Sequence, residues 1–230
     1  MGASVKLNQL LVSKDKKFVY HYIPRAGASS LKYHLQDYLE GMVRVDKEDV
    51  EVRNSPLHTN TAKIQRSSLE LSQYKNYYKF IVVRNPYDRI ISYYYEYITS
   101  NTAHFLHPIT NSRLDTFDKY IDALQSVKSW GPEHDHIMPI CLMAMPLFMY
   151  DKIYMLEEGC FGDISKDLGV REFENIRFSV SSRSGRQKSM TKQQIDKVIK
   201  TVEMIYMQDL YEFGYTKQNS KYLEKFNAVS

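Results

Sequence analysis

The 230-residue chain is poor in cysteine and in long apolar runs. Its two cysteines, Cys141 and Cys160, stand far apart and form no CxxC pair. That argues against a disulfide framework and points to a reducing compartment, the cytoplasm. The longest apolar run, Ile137 to Tyr150, is about 14 residues and is broken by Pro139 and Pro146, too short to span a bilayer. Residues 1–17 lack the apolar core of a secretory signal, and Lys6 stands where a myristoylation motif at Gly2 needs Ser or Thr. Runs of Lys or Arg are missing as well. The net charge of +4 is spread over interleaved acids and bases, which argues against a nucleic-acid arm and suits a small anionic ligand. A Walker A loop, GxxxxGK[ST], is absent, and so is a recognisable magnesium carboxylate after a strand. Both absences tell against a nucleotide-dependent phosphotransferase.

What is present is ordinary for a globular protein. Hydrophobic residues make up 43% and charged residues 25%, enough for one domain, residues 1–230, with a real core. Most of the 19 tyrosines are expected in that core. Lys17 to Ile23 reads as a strand ended by Pro24. Ser29 or Ser30 then caps a helix that buries Leu31, Leu35, Tyr38 and Leu39. Met42 to Val52 alternates apolar and polar residues and predicts a second strand. A turn at Asn54–His58 and a helix over Thr61–Leu71 follow.

Tyr78 to Val83 is continuously apolar, as buried parallel strands are. Asn85 as N-cap and Pro86 at the first position open a helix that buries Ile90, Ile91, Tyr94, Tyr95 and Ile98. Further on, Thr99–Asn111 reads as a loop, Thr116–Val127 as a helix, Asp151–Leu156 as a strand and Ile164–Leu168 as a helix. Ser179–Ser189 is a polar loop. Thr191–Phe213 reads as one long amphipathic helix opened by a Thr191–Gln194 capping box. Strands alternating with helices predict an α/β fold with a central parallel sheet flanked by helices, and ligands at the carboxyl ends of its strands.

Two strand-to-helix turns carry the chemistry. In "IPRAGASSL" the small residues let backbone N–H groups approach a ligand, the helix start adds partial positive charge, and Arg25 adds a full one. This is an anion site in outline, and phosphate is the common occupant. In "RNPYDRIIS", Ser92 lies about 10 Å along the helix from its cap, too far to cap it. Ser92 can instead meet a group on the helix flank that Arg84 reaches from the strand end. A second phosphate would employ both.

These stretches resemble the carbohydrate sulfotransferases. "IPRAGASSL" is similar to their 5′-phosphosulfate loop, written around PKxxGTS. "FIVVRNPYDRIISYYYEY" is similar to their 3′-phosphate segment, VRxPxxRxxS. "DHIMPICLMAMPLFMYDKIYMLEE" resembles the family's HxxP…YDxIxxLE stretch, and "IYMQDLYEFGY" its closing YxxDxxxFGY. The resemblance runs from about Phe18 to Tyr215 and implies a P-loop-like fold. It also implies 3′-phosphoadenosine 5′-phosphosulfate as sulfuryl donor, with no metal. Arg25, Ala26, Gly27, Ala28, Ser29 and Ser30 would embrace the phosphosulfate, and Arg84 and Ser92 the 3′-phosphate. Arg25 replaces the usual lysine. It still neutralises a leaving phosphate with two hydrogen bonds, but acts only electrostatically.

Sulfuryl transfer to a hydroxyl needs a base for the proton and positive charge near the bridging oxygen. Arg25 supplies the charge. The uronyl 2-O-sulfotransferases carry a catalytic histidine in the interval that here contains His58, which makes His58 the candidate base against a plain loop histidine. His136 matches the family's HxxP position and is the candidate acceptor-binding residue, against a structural histidine. His134, His136 and Cys141 suggest zinc only weakly, since no second ligand pair accompanies them. His104, His107, Glu133 and Glu96 stand in reserve. Arg183 and Arg186, in "SSRSGRQKS", either fold over the 3′-phosphate or belong to a solvated loop.

The leading expectation is therefore an O-sulfotransferase acting on a hydroxyl of a carbohydrate or glycan, with no nucleic-acid partner and no membrane span. A nucleotide-dependent phosphotransferase and a non-catalytic nucleotide- or glycan-binding relative are the alternatives.

Overall fold

The computed structural model describes residues 10–42, 44–46, 72–98, 106, 111–131, 134–173 and 190–227. In chain order its strands and helices are β1 (Leu10–Ser13), β2 (Phe18–His21), α1 (Ala28–Leu35), β3 (Tyr78–Val83), α2 (Pro86–Tyr93), α3 (Phe117–Gln125), α4 (Ile140–Met143), β4 (Lys152–Met155), α5 (Phe161–Asp167), α6 (Lys192–Ile205), α7 (Met207–Phe213) and α8 (Lys221–Asn227). The described residues fall into two compact units. A sheet unit is drawn from Lys6–Val83 and Ala144–Ser179, and a helical unit from Arg84–Met143 and Val180–Ser230.

The sheet unit holds all four strands in the order β1-β2-β3-β4. β2, β3 and β4 run parallel, with His21 beside Ile81 and Val83 beside Met155. β1 is antiparallel to β2, so the sheet is mixed where the sequence predicted a parallel one. The "LLVS" of β1 is too short to display a period of two. It is recruited by a tight reversal through Lys14–Lys17, in which Ser13 Oγ accepts from Lys16 N at 3.1 Å and Lys17 takes a positive φ of 51°. A hairpin of this kind needs only a turn, whereas parallel neighbours need a crossover.

β1, β2 and β3 are buried on both faces, which explains their lack of alternation. On one face Phe18, Tyr20, Phe80, Val82 and Tyr154 cluster with Leu31 and Leu35 of α1 and Ile164 of α5. Tyr20 stacks on Phe80 with ring centres 4.9 Å apart. β4 is fastened at its start: Asp151 accepts from Lys79 N at 2.7 Å and gives its own N–H to the Lys79 carbonyl at 2.8 Å. Lys152 and the Tyr154 hydroxyl both donate to Asp167 at 2.6 Å, which ties β4 to α5. Those two donors, Lys152 first, hold the Asp167 carboxyl below its ordinary pKa.

Three further expectations change. The strand over Met42–Val52 does not form in its described part. Val45 exchanges its N–H and carbonyl with the side-chain amide of Gln36, so the chain docks on the end of α1 instead of pairing in the sheet. α1 starts before either Ser29 or Ser30, so neither serine caps it. The single helix over Thr191–Phe213 is two helices. Tyr206 leaves helical geometry at φ −109° and ψ 21°, and its buried hydroxyl donates to the Ile137 carbonyl. The Thr191–Gln194 capping box is present. The expected turn at Asn54–His58, the helix at Thr61–Leu71, nearly all of Thr99–Asn111 and the loop Ser179–Ser189 lie outside the described residues.

In the helical unit, α2, α3 and α6 share a core built from Ile90, Ile91, Tyr120, Leu124, Val198, Val202 and Tyr206. After Tyr93, α2 widens into a π-type turn over Tyr94–Ile98. No helix among the described residues is long and apolar enough to cross a membrane.

Candidate active site

The first turn leaves β2 at its carboxyl end. Ala26 N closes a tight turn onto the Ile23 carbonyl at 3.1 Å, and Leu31 N reaches the Gly27 carbonyl at 3.0 Å. Between these bonds the backbone is left-handed twice, at Arg25 (φ 67°) and at Gly27 (φ 77°). Left-handed geometry is unfavourable for a residue with a β-carbon, so Arg25 is held there by its surroundings. The two reversals let α1 begin at Ala28 without any side-chain cap, although serines follow at once. The N-cap, Gly27, thus offers no side chain to the first N–H groups of the helix, which lie beside half-buried Arg25.

Gly27 is required here for two reasons. Its φ disfavours any side chain, and a β-carbon would come 2.9 Å from Leu156 Cδ1 and 3.3 Å from Phe161 Cζ. Gly27→Ala is expected to cost about 1–2 kcal/mol of stability from the left-handed backbone, since the Leu156 tip can shift aside. Urea unfolding of both proteins measures it. Beside the loop lies a residue that sequence reasoning passed over. Lys32 of α1 is buried, with its ammonium 3.7 Å from the centre of the Tyr22 ring. The cation rests on an aromatic face next to the residues that lead into the loop.

The second turn leaves β3 at Val83 and opens the helical unit. Asn85 caps α2 by accepting from Tyr87 N at 3.0 Å, with Pro86 behind it, as the sequence predicts. Its amide also donates to the Thr216 carbonyl at 3.1 Å and to Asn219 Oδ1 at 2.9 Å. Asp88 accepts from the Ser220 hydroxyl and from the N–H groups of Lys221 and Tyr222, which fastens α8 to α2. The Tyr222 ring then lies 5.9 Å from the Arg84 guanidinium carbon. Arg84 thus stands at the head of α2 and Ser92, buried, in its last turn.

The remaining motif residues converge in the core of the helical unit. Arg89 is buried and donates to the carbonyls of Met138 and Asp135, the latter at 2.8 Å. Burial lowers its pKa, and the nearby Tyr206 and Asp209 oppose that. Asp209, from the closing motif, accepts from Ile140 N at 2.7 Å and Cys141 N at 2.8 Å and so caps α4. Burial raises the Asp209 pKa against those two donors and the Arg89 charge. With Tyr206 on the Ile137 carbonyl, three side chains grip the backbone on both sides of His136. Sequence reasoning placed Tyr206 only on the buried face of its helix and gave Arg89 and Asp209 no role. The signal was there, since both are fixed letters of VRxPxxRxxS and YxxDxxxFGY.

His136 itself is about 39% exposed, with Nε2 3.7 Å from Asp135 Oδ1 and its ring 6.1 Å from that of Tyr93. His134 is buried and its Nδ1 accepts from Gly131 N at 2.9 Å. His21 is buried against the Tyr150 hydroxyl at 2.6 Å, and His34 stacks on Phe173. His58, Arg183, His104, His107 and Glu133 lie outside the described residues. Among the described residues no three His, Cys, Asp or Glu side chains gather as a metal site. Neither cysteine is poised as a thiolate: burial pushes Cys160 up to about 12, and burial beside Asp209 pushes Cys141 higher still.

The structure therefore builds two strand-to-helix turns: one, with Arg25, leaves the carboxyl end of β2 in the sheet unit, and the other, with Arg84, follows the carboxyl end of β3 and opens the helical unit. Ligands of α/β sheets collect at such ends. No curated protein and no solved structure matches the chain significantly. The family model described as "Sulfotransferase family" matches residues 8–216, a span that holds both turns, the HxxP stretch and the closing motif. The chain belongs to the sulfotransferase family.

Proposed function

We propose that this sulfotransferase is an O-sulfotransferase that uses 3′-phosphoadenosine 5′-phosphosulfate as donor and a hydroxyl of a carbohydrate or glycan as acceptor, with residues 1–230 acting as one catalytic domain. The observation that carries the reading is the loop Arg25–Ser30. Two left-handed residues, Arg25 and Gly27, deliver it into the start of an eight-residue helix whose N-cap glycine carries no side chain, a geometry that suits a tetrahedral anion. On this reading the loop takes the phosphosulfate, Arg84 and Ser92 take the 3′-phosphate, and Arg183 adds charge from the Ser-rich segment. His136 meets the acceptor.

The acceptor oxygen attacks sulfur while the bond from sulfur to the bridging phosphate oxygen breaks. The hydroxyl proton passes to His58, and the electron pair leaves with 3′-phosphoadenosine 5′-phosphate. Arg25 and the loop amides stabilise the charge that grows on the departing oxygen. The transferring sulfuryl group carries less negative charge than a phosphoryl group, so no divalent metal is required.

The test incubates the protein with the donor and a panel of mono- and oligosaccharides, with EDTA present. Acceptor-dependent release of 3′-phosphoadenosine 5′-phosphate, with sulfate recovered on the sugar, is expected. Phosphorylated sugar formed from ATP and Mg²⁺, with no sulfate transfer, would overturn the reading.

A further inference from the structure

The amino-terminal ends of β2, β3 and β4, opposite the end where the Arg25 loop leaves, carry features that sulfuryl transfer does not employ. Ahead of β4 the chain reads "MPLFMY", and Leu147–Met149 form one short 3-10 turn. Its tip, Phe148, is 88% exposed. Pro146 beside it is exposed, and Leu147 and Met149 are half-buried. A phenylalanine held out on a rigid turn between apolar neighbours loses burial free energy that a folded chain ordinarily collects.

The neighbouring strand starts are basic. Tyr78 N donates to the Lys17 carbonyl at 2.9 Å, and Asp151 N to the Lys79 carbonyl at 2.8 Å, so the three starts lie side by side at the usual strand spacing. Around them stand exposed Lys14, Lys16, Lys17, Lys75 and Lys152, against exposed Asp15 and Asp151. Lys14 is paired with Glu40 and Lys152 with Asp167, whereas Lys17 and Lys75 meet no carboxylate among the described residues. The pre-strand turn that carries Lys75 is rigid, because the Lys79 ammonium donates to the carbonyls of Lys75 and Tyr77 at 2.9 Å each.

We propose that this edge of the sheet unit docks on an anionic lipid surface, with Phe148 entering the headgroup boundary and the lysines facing the headgroups. Charge and shape choose the occupant. Protein interfaces deplete lysine and favour a packed aromatic and arginine centre. Here an exposed apolar tip ahead of β4 accompanies exposed lysines at the starts of the neighbouring strands, which suits a fluid, negatively charged plane. Docking in this way needs no spanning segment. The strands place the Arg25 loop roughly 20 Å away at their other ends, at about 3.3 Å per residue of β3, so a lipid plane at this edge does not cover it.

The test is flotation of the full-length protein with phosphatidylcholine vesicles and with vesicles of seven parts phosphatidylcholine to three parts phosphatidylserine, without donor or acceptor. It therefore reads independently of the transfer reaction. Binding to the anionic vesicles alone, falling steeply with added salt, is expected. Phe148→Ser should weaken it about ten- to a hundred-fold. Lys17→Gln with Lys75→Gln should weaken it roughly 25-fold, at about fivefold per lysine. All three positions are exposed, so unchanged thermal melting confirms that the variants fold. Absence of binding to anionic vesicles, or binding that Phe148→Ser leaves intact, would overturn the proposal. Self-association lost in Phe148→Ser, without vesicle binding, would assign the tip to a second copy of the chain instead.

Discussion

His58→Ala lowers the rate of sulfuryl transfer by about 10²–10⁴-fold and leaves the affinity for 3′-phosphoadenosine 5′-phosphate unchanged, as loss of a positioned base should. The hydroxyl proton must leave as the oxygen attacks, and Arg25 cannot accept it because a guanidinium stays protonated. Among the described histidines the field is narrow. His21 is buried on Tyr150, His134 is buried with Nδ1 occupied by Gly131 N–H, and His34 is stacked on Phe173. His136 reaches solvent and has the Asp135 carboxylate near it. On the proposed assignment, His136→Ala raises the acceptor KM and spares the single-turnover rate at saturating acceptor. Single-turnover transfer by both variants, with nucleotide titration alongside, separates the roles. Near wild-type turnover in His58→Ala would remove that residue from the chemistry and pass the role to His136.

Asp209→Ala destabilises the protein by about 2–5 kcal/mol, at about 1–3 kcal/mol for each buried donor left without its acceptor. The loss has two sources. The N–H groups of Ile140 and Cys141, 2.7 and 2.8 Å from the carboxylate, lose their acceptor at the head of α4. Buried Arg89 loses the negative charge that offsets its own desolvation. Asp209→Asn keeps one acceptor oxygen but turns an amide N–H toward the second donor, so its loss falls between Ala and wild type. Guanidinium unfolding of the three proteins measures the series. A loss under about 1 kcal/mol for Asp209→Ala would mean that this carboxylate is not the cap that fixes the HxxP segment.

The legible parts of the fold were those with a strong local signal. The apolar run Tyr78–Val83, the Asn85-Pro86 helix start and the Thr191–Gln194 capping box form where the sequence places them. β1 was hidden because four residues carry no usable period, and because an antiparallel edge strand is chosen by a turn and a neighbour. The break at Tyr206 was hidden for the opposite reason. Its periodicity is unbroken, and what accompanies the break between α6 and α7 is tertiary: the Tyr206 bond to the Ile137 carbonyl and the Asp209 cap on α4. In the candidate site the motif residues Arg25, Gly27 and Arg84 could be named from spacing and resemblance. The left-handed backbone at Arg25 could not, since arginine rarely adopts it. Nor could buried Lys32, which reads on a helix as an ordinary solvated lysine.

Recognition of the nucleotide 3′-phosphate is the claim on which the functional account depends, and Arg84 is its most accessible handle. Arg84 stands at the head of α2 beside the Tyr222 ring, and Ser92 closes the same helix. On the proposed reading neither contacts a nucleotide that lacks the 3′-phosphate. Calorimetric titration of wild type and Arg84→Ala with 3′-phosphoadenosine 5′-phosphate and with ADP decides the matter. The account predicts that wild type prefers the 3′-phosphorylated nucleotide. It also predicts that Arg84→Ala weakens that binding by roughly ten- to a hundred-fold, the value of one charge-assisted contact, while ADP binding hardly changes. Equal affinity of wild type for the two nucleotides would contradict it.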